Sequence, residues 1–229
     1  MPNNVTLDDK YTCIAFLGDN SGSMAQINTR MLADSVNNVI KENKENTDIV
    51  FYGATFSDTF NLFADGIDGS DVQITKDQLI PDGMTALVPS FARMIRIVGS
   101  RLDRMTDRKP GKVIFILLSD GEQTVTRLVN NDTDDKPYEG YIGIENLRKL
   151  VEEHQTVWNW EFMFLGTNFD SITLGESFGL RRENCINYDY SSDGVTSVMR
   201  CVSQNVRRTI QGDSTGFLES ERQESALAE

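Results

Sequence analysis

Residues Val113 to Leu118 read Val-Ile-Phe-Ile-Leu-Leu, an unbroken apolar run that follows Lys112 and ends at Ser119-Asp120. A strand with one wet face alternates apolar and polar residues, whereas a strand apolar at every position needs cover on both faces. Helices in crossover connections provide such cover, so the run points to a central parallel strand of an α/β domain. It is far too short to cross a bilayer.

The rest of the chain carries the alternation that such a sheet requires. Tyr11–Gly18 reads as a buried strand, and Met31, Leu32, Val36, Val39 and Ile40 then recur with helical period. Asp48–Thr55 reads as a strand, and Ser57-Asp58 turns the chain into Thr59–Phe63, a hairpin. Leu87, Phe91, Met94, Ile95, Val98 and Leu102 mark a long helix ahead of the apolar run. Beyond it come a helix through Ile144, Leu147, Leu150 and Val151, and a strand at Trp158–Leu165. A short helix follows from Phe169, with Asn168 as candidate N-cap and Gly179 past its end. Asn184–Tyr188 reads as a short strand, and Val195, Val198, Val202, Val206 and Ile210 form a last helical stripe. The expected fold is α/β, a mostly parallel central sheet with helices on both faces. Residues 1–212 are expected to form one domain. The acidic tail, 213–229, is polar apart from Phe217 and Leu218 and is expected to be flexible, with docking as a short helix the alternative.

Composition narrows the function classes. A net charge of −13 disfavours a nucleic-acid backbone as partner. Cys13, Cys185 and Cys201 lie in separate apolar segments, with no CxxC pair and no His/Cys cluster, so zinc is disfavoured and reduced core thiols are expected. Met1-Pro2-Asn3-Asn4 lacks the basic start and apolar stretch of a secretion signal, so a cytoplasmic location is expected. No membrane partner is expected.

The chemistry concentrates in three loops. Asp19-Asn20-Ser21-Gly22-Ser23-Met24 follows the first strand and offers a carboxylate and two hydroxyls at alternate positions, on a turn that Gly22 can bend freely. Thr85, in Asp82-Gly83-Met84-Thr85-Ala86, opens the second long helix; Asp120 ends the most apolar strand. Hard divalent cations take oxygen ligands of this kind, and Mg²⁺ takes about six. Asp19 and Asp120 both stand at carboxyl ends of apolar strands, where ligands of open parallel sheets bind, and they converge if those strands are neighbours.

Together, Asp19-x-Ser21-x-Ser23, Thr85 and Asp120 resemble the metal-ion-dependent adhesion site of von Willebrand factor A (vWA) domains. The resemblance covers about residues 10 to 212 and is strongest to stand-alone vWA proteins of bacteria and their phages. They carry stretches similar to Gly83-Met84-Thr85-Ala86-Leu87, Lys112-Val113-Ile114-Phe115, Asp120-Gly121-Glu122 and Trp160-Glu161-Phe162-Met163-Phe164-Leu165-Gly166. It implies a Rossmann-like vWA domain whose second hairpin strand is an antiparallel edge. It implies Mg²⁺, with Mn²⁺ or Ca²⁺ as alternatives, touched by Ser21, Ser23 and Thr85, while Asp19 and Asp120 act mainly through water and hydrogen bonds. An acidic side chain of a protein partner would complete the shell. The expected function is thus a metal-dependent protein-binding module rather than an enzyme, in a bacterial or phage-infected cell. Asn20 departs from the apolar or basic residue common there, and Leu128–Tyr141 looks like an insertion placed to shape or cover the site.

Other readings are weaker. Gly18-Asp19-Asn20-Ser21 superficially resembles the Gly-Asp-Ser start of a lipase-like esterase family, with Ser21 as nucleophile. That chemistry needs a histidine base, and the one histidine, His154, sits in a predicted helix after Glu152-Glu153. GxGxxG and Walker-type loops are absent. Asp132, Asp134 and Asp135 lack calcium-loop spacing, and Asp65, Asp68 and Asp71 read as turn residues. Arg181-Arg182 and Arg207-Arg208 are too isolated to bind nucleic acid. A structural or regulatory subunit of a larger bacterial or phage assembly is the alternative function.

Overall fold

The computed structural model describes residues 6–120, 123–129, 143–167 and 171–226. Among them, β1 (Leu7–Asp19), β2 (Asp48–Phe56), β3 (Phe60–Asp68), β4 (Lys109–Ser119), β5 (Trp160–Gly166) and β6 (Cys185–Asn187) form one sheet in the order β3-β2-β1-β4-β5-β6. All neighbours are parallel except β3, which is antiparallel to β2 at the edge. The expected mixed sheet and its antiparallel edge are both present.

Alternation along the central strands divides the core in two. Ile14, Phe16, Ile114, Ile116, Leu118, Met163 and Leu165 face α1 (Thr29–Asn43) and α5 (Ser192–Ile210). Cys13, Ala15, Leu17, Val113, Phe115, Leu117, Phe162 and Phe164 face α2 (Leu87–Asp103) and α3 (Ile144–Thr156). The second face is aromatic: Phe91 contacts the rings of Phe115, Phe162 and Phe178 at 5.2, 5.9 and 6.3 Å. Offset and edge contacts of this kind add to the area the rings bury. β4 is thus covered on both faces, as its unbroken apolar run requires.

The chain moves outward from β1 to β2 and β3, then crosses back to place β4 on the other side of β1. This reversal opens a crevice between the carboxyl ends of β1 and β4. Asn28, whose Oδ1 accepts from the backbone N–H of Arg30 and Met31, starts α1 beside it.

Asp65 lies within β3, not in a turn, and forms a two-point ion pair with Arg101. Asp68 closes β3, and Asp71 is in the turn beyond. The short helix α4 spans Ser171–Ser177, while Asn168 and Phe169 fall outside the described residues. The tail is helical over Glu219–Ala226 (α6) and packs on α5 and β6, the docked short helix named as the alternative to a flexible tail. The physical reason is burial of Phe217 together with an Arg208–Glu221 ion pair at 2.8 Å whose carboxylate also accepts the Leu218 N–H. Arg222 donates to the carbonyls of Cys185 and Glu183, so α6 covers the short edge strand β6. No helix among the described residues is long and apolar enough to cross a membrane, and all three cysteines are free and buried.

Glu221→Ala strands the Arg208 guanidinium in a largely buried position. The expected loss is about 3 kcal/mol in urea unfolding, the usual cost of breaking one partner from a buried pair. A loss below about 1 kcal/mol would show that α6 is held by its apolar contacts alone.

Candidate metal centre

The register of β1 against β4 pairs Gly18 with Leu118, so Asp19 stands level with Ser119 and one residue short of Asp120. Both carboxylates are deeply buried, Asp19 at 3% and Asp120 at 4% exposure. Asp19 is fully engaged: Oδ1 accepts the Ser21 N–H at 2.8 Å and Oδ2 accepts the Ser119 hydroxyl at 2.7 Å. That N–H bond folds the following turn back on the carboxylate, which is why Ser21 and Ser23 bring their Oγ atoms to 3.0 Å of each other. Ser21 is buried and Ser23 exposed, so the group opens to solvent at Ser23.

Thr85 arrives from the other side. Gly83 O accepts the Gly22 N–H at 3.0 Å, tying the two loops together two residues before Thr85. Thr85 is buried; its N–H donates to Thr124 Oγ1 at 2.8 Å and its carbonyl accepts from the Thr124 and Val125 N–H groups. Gln123 Oε1 accepts the Val88 N–H and so caps α2, whose first turn lacks a cap of its own. The segment after Asp120 thereby fixes both Thr85 and the start of α2. Gly22, expected to supply the turn's conformational freedom, has no positive φ; Gly83 does, at 74°. A Cβ on Gly83 would lie 2.3 Å from Asp58 Oδ1, whereas one on Gly22 meets only Gly83 O at 3.4 Å.

Asn20 turns away from the hydroxyls. Its N–H donates to Phe56 O, its Nδ2 to Ile80 O, and its carbonyl accepts the Asp82 N–H. It staples the β1 turn to the Thr85 loop without entering the ligand set. The supporting residues Ser119, Gln123, Thr124 and Asn20 are not legible as such from the sequence, because each acts through one hydrogen bond set by tertiary placement. Gly121, Glu122, Asp132, Asp134, Asp135 and most of Leu128–Tyr141 lie outside the described residues.

The electrostatics suit a cation. Burial raises the Asp19 pKa to about 6 against its hydrogen bonds to Ser21 and Ser119, and the Asp120 charge adds to the rise. Neither carboxylate has an ion pair among the described residues, and Asp120 Oδ1 is buried with no hydrogen-bond partner there. No group of three or more His, Cys, Asp or Glu side chains among the described residues could hold a metal, so a centre here needs the hydroxyls too. The donors are all hard oxygens, as Mg²⁺, Mn²⁺ and Ca²⁺ prefer.

The esterase arrangement is not formed. His154 lies on α3, its Nδ1 at 2.8 Å from Leu150 O and its ring 4.6 Å from Trp160. Trp160 is level with Val113 and Cys13, six residues before Asp19, which puts His154 about 20 Å from Ser21 at the usual rise per residue.

No protein-family model and no curated protein matches the chain. Solved structures do. Proximal thread matrix protein 1 of the mussel byssus, with a zinc-occupied MIDAS motif, aligns at TM-score 0.54 and 17% identity over 88% of this chain and 47% of its own. The vWF domain of the type V pili tip protein of Porphyromonas gingivalis aligns at 0.55 and 11%, over 87% of this chain and 96% of its own. A von Willebrand factor type A protein of Catenulispora acidiphila aligns at 0.51 and 14%, over 89% and 42%. This chain therefore spans about half the length of the mussel protein and nearly all of the pilus domain. The fold is that of a vWA domain.

Two outcomes follow. Gly83→Ala is expected to cost about 1–2 kcal/mol in urea unfolding, from its positive φ and the clash with Asp58, and Gly22→Ala less than about 0.5 kcal/mol; equal losses would contradict the geometry. Burial lowers the His154 pKa from 6.5, so the unfolded chain takes up a proton that the folded one resists. Stability relative to His154→Gln should therefore fall as pH drops below 6.5; a flat or opposite difference in melting temperature would contradict the burial of the neutral ring.

Proposed function

We propose that the chain is a metal-dependent protein-binding module. Ser21, Ser23 and Thr85 would contact a divalent cation, Mg²⁺ first and Mn²⁺ or Ca²⁺ as alternatives, with Asp19 and Asp120 acting mainly through water and hydrogen bonds. The observation that carries this function is the pair of buried carboxylates, Asp19 and Asp120, at adjoining strand ends beside the hydroxyls of Ser21 and Ser23, with no ion pair to balance them among the described residues. Buried charge of one sign is retained only where something of the other sign offsets it.

A bound cation would supply a positive corner that an acidic side chain of a partner can occupy. The chain's own residues prepare that corner. Asp19 spends both oxygens on Ser21 and Ser119, which orients the turn. Ser21 and Ser23 are neutral donors and leave the ion's charge largely uncancelled. Ile80 and Met84, exposed at 58% and 51%, flank the site on the Thr85 loop and would exclude water around a docked carboxylate, strengthening the contact. The mussel neighbour's zinc-occupied MIDAS supports a cation at this end of the sheet, and the pilus neighbour supports a role in protein assembly. The three free buried cysteines suit a reducing compartment, as in the cytoplasm of a bacterial or phage-infected cell.

Mg²⁺ titration by calorimetry tests this directly. The expected result is one site, weakened at least about tenfold, or about 1.4 kcal/mol, in Asp19→Ala and in Thr85→Ala. Partner recovery from native lysate should fall with chelator and with both variants. Absence of Mg²⁺, Mn²⁺ and Ca²⁺ binding by the unaltered protein would overturn the function.

A further inference from the structure

A fourth segment reaches the same end of the sheet. Tyr188 follows β6 and donates its backbone N–H to Gly166 O at 2.9 Å, and Tyr190 precedes Ser191, the cap of α5. The Tyr190 phenol donates to the backbone carbonyl of Ser23, the residue whose hydroxyl lies 3.0 Å from Ser21 Oγ. Tyr188 is 3% exposed, and its hydroxyl has no hydrogen-bond partner among the described residues. Asp120 Oδ1 is in the same condition, so a buried donor and a buried acceptor are both unpartnered here. Gly166, which accepts the Tyr188 N–H, is paired with Ser119, the neighbour of Asp120, so Tyr188 stands at the carboxylate end of the sheet. Burial raises the pKa of each phenol, and the charges of Asp120 and Asp19 act in the same direction.

The segment is held from three sides. The Asp189 N–H donates to Ser225 O of α6, the Gly194 N–H to Ser191 Oγ, and the Asn28 N–H at the start of α1 to Ser192 Oγ. A Cβ at Gly194 would lie 2.0 Å from Asp189 O, so only glycine lets the first turn of α5 come this close.

Resting on the metal-binding function above, we propose that the β6–α5 loop is a fourth wall of the centre. Tyr190 holds the Ser21–Ser23 turn in its donor arrangement, and Tyr188 supplies a hydrogen-bond donor to the Asp120 side. Both are positioning residues, and neither is a ligand. Removing either hydroxyl leaves all five candidate ligands in place and weakens the cation's hold. A merely structural role has the opposite signature at Tyr188, since deleting an unsatisfied buried hydroxyl is neutral or stabilising and leaves ion binding untouched.

The test is a Mn²⁺ titration of the full chain, following the electron paramagnetic resonance signal of the free ion, for the unaltered protein, Tyr188→Phe and Tyr190→Phe. Melting temperatures without metal are measured alongside. The expected result is Mn²⁺ affinity weakened about three- to tenfold in each variant, with metal-free melting temperatures close to the parent's. Parent-like affinity in both variants overturns the fourth wall and leaves the metal site standing. Absence of Mn²⁺ binding by the unaltered protein overturns the site itself and the wall with it. Should Tyr188→Phe melt early, the Tyr190→Phe affinity decides the matter alone.

Discussion

The parallel pairing of β1 with β4 is the contact on which the other features depend. It joins the two central strands, whose side chains alternate between two cores, and it sets Asp19 level with Ser119. Because β2 and β3 lie to one side of β1 and β4 to the other, the chain reverses direction at this pair and the crevice opens there. Slipping the register by one residue would exchange the two cores and separate Asp19 from the Ser119 hydroxyl, so packing and site geometry are set by the same hydrogen bonds.

The two carboxylates at that crevice divide their labour. Asp19 is committed to Ser21 and Ser119 and acts as a brace for the turn. Asp120 keeps a buried oxygen without a partner among the described residues. Burial already pushes Asp19 toward its protonated form, and the second charge beside it works in the same direction. A cation would reverse both effects at once, whereas ion pairs such as Arg101–Asp65 and Arg108–Asp8 involve other carboxylates. The tail contributes from a distance: α6 pins Asp189 through Ser225, and so steadies the loop that carries Tyr188 and Tyr190.

Much of this was legible in the sequence, for identifiable reasons. The unbroken run Val113–Leu118 marks the central strand because burial on both faces removes polar residues from it. The helical stripes at Leu87–Leu102 and Val195–Ile210 locate α2 and α5 to within a few residues. Asp19, Ser21, Ser23, Thr85 and Asp120 stand out because oxygen donors on turns after apolar strands have few other uses in combination. The edge strand β3 was underestimated, since Asp65 and Gly66 look like turn residues and the half-exposed strand is irregularly paired with β2. The docking of α6 was hidden because it relies on the ion pairs Arg208–Glu221 and Arg200–Glu224, on hydrogen bonds from Arg222 and Ser225 to backbone carbonyls and on the buried Phe217, which leave little periodic trace. Tyr188 was read only as the end of a strand and Tyr190 was not singled out, because the bond from Tyr190 to Ser23 is made by a chain crossing and not by spacing.

Anomalous diffraction from crystals grown with Mn²⁺ would test the central claim most directly. The account predicts one strong peak at the carboxyl ends of β1 and β4, within bonding distance, about 2 Å, of Ser21 Oγ and Ser23 Oγ, with Thr85 beside it and Asp19 and Asp120 behind. A protein that crystallises with Mn²⁺ and shows no peak there, or a peak held by other side chains, would contradict it.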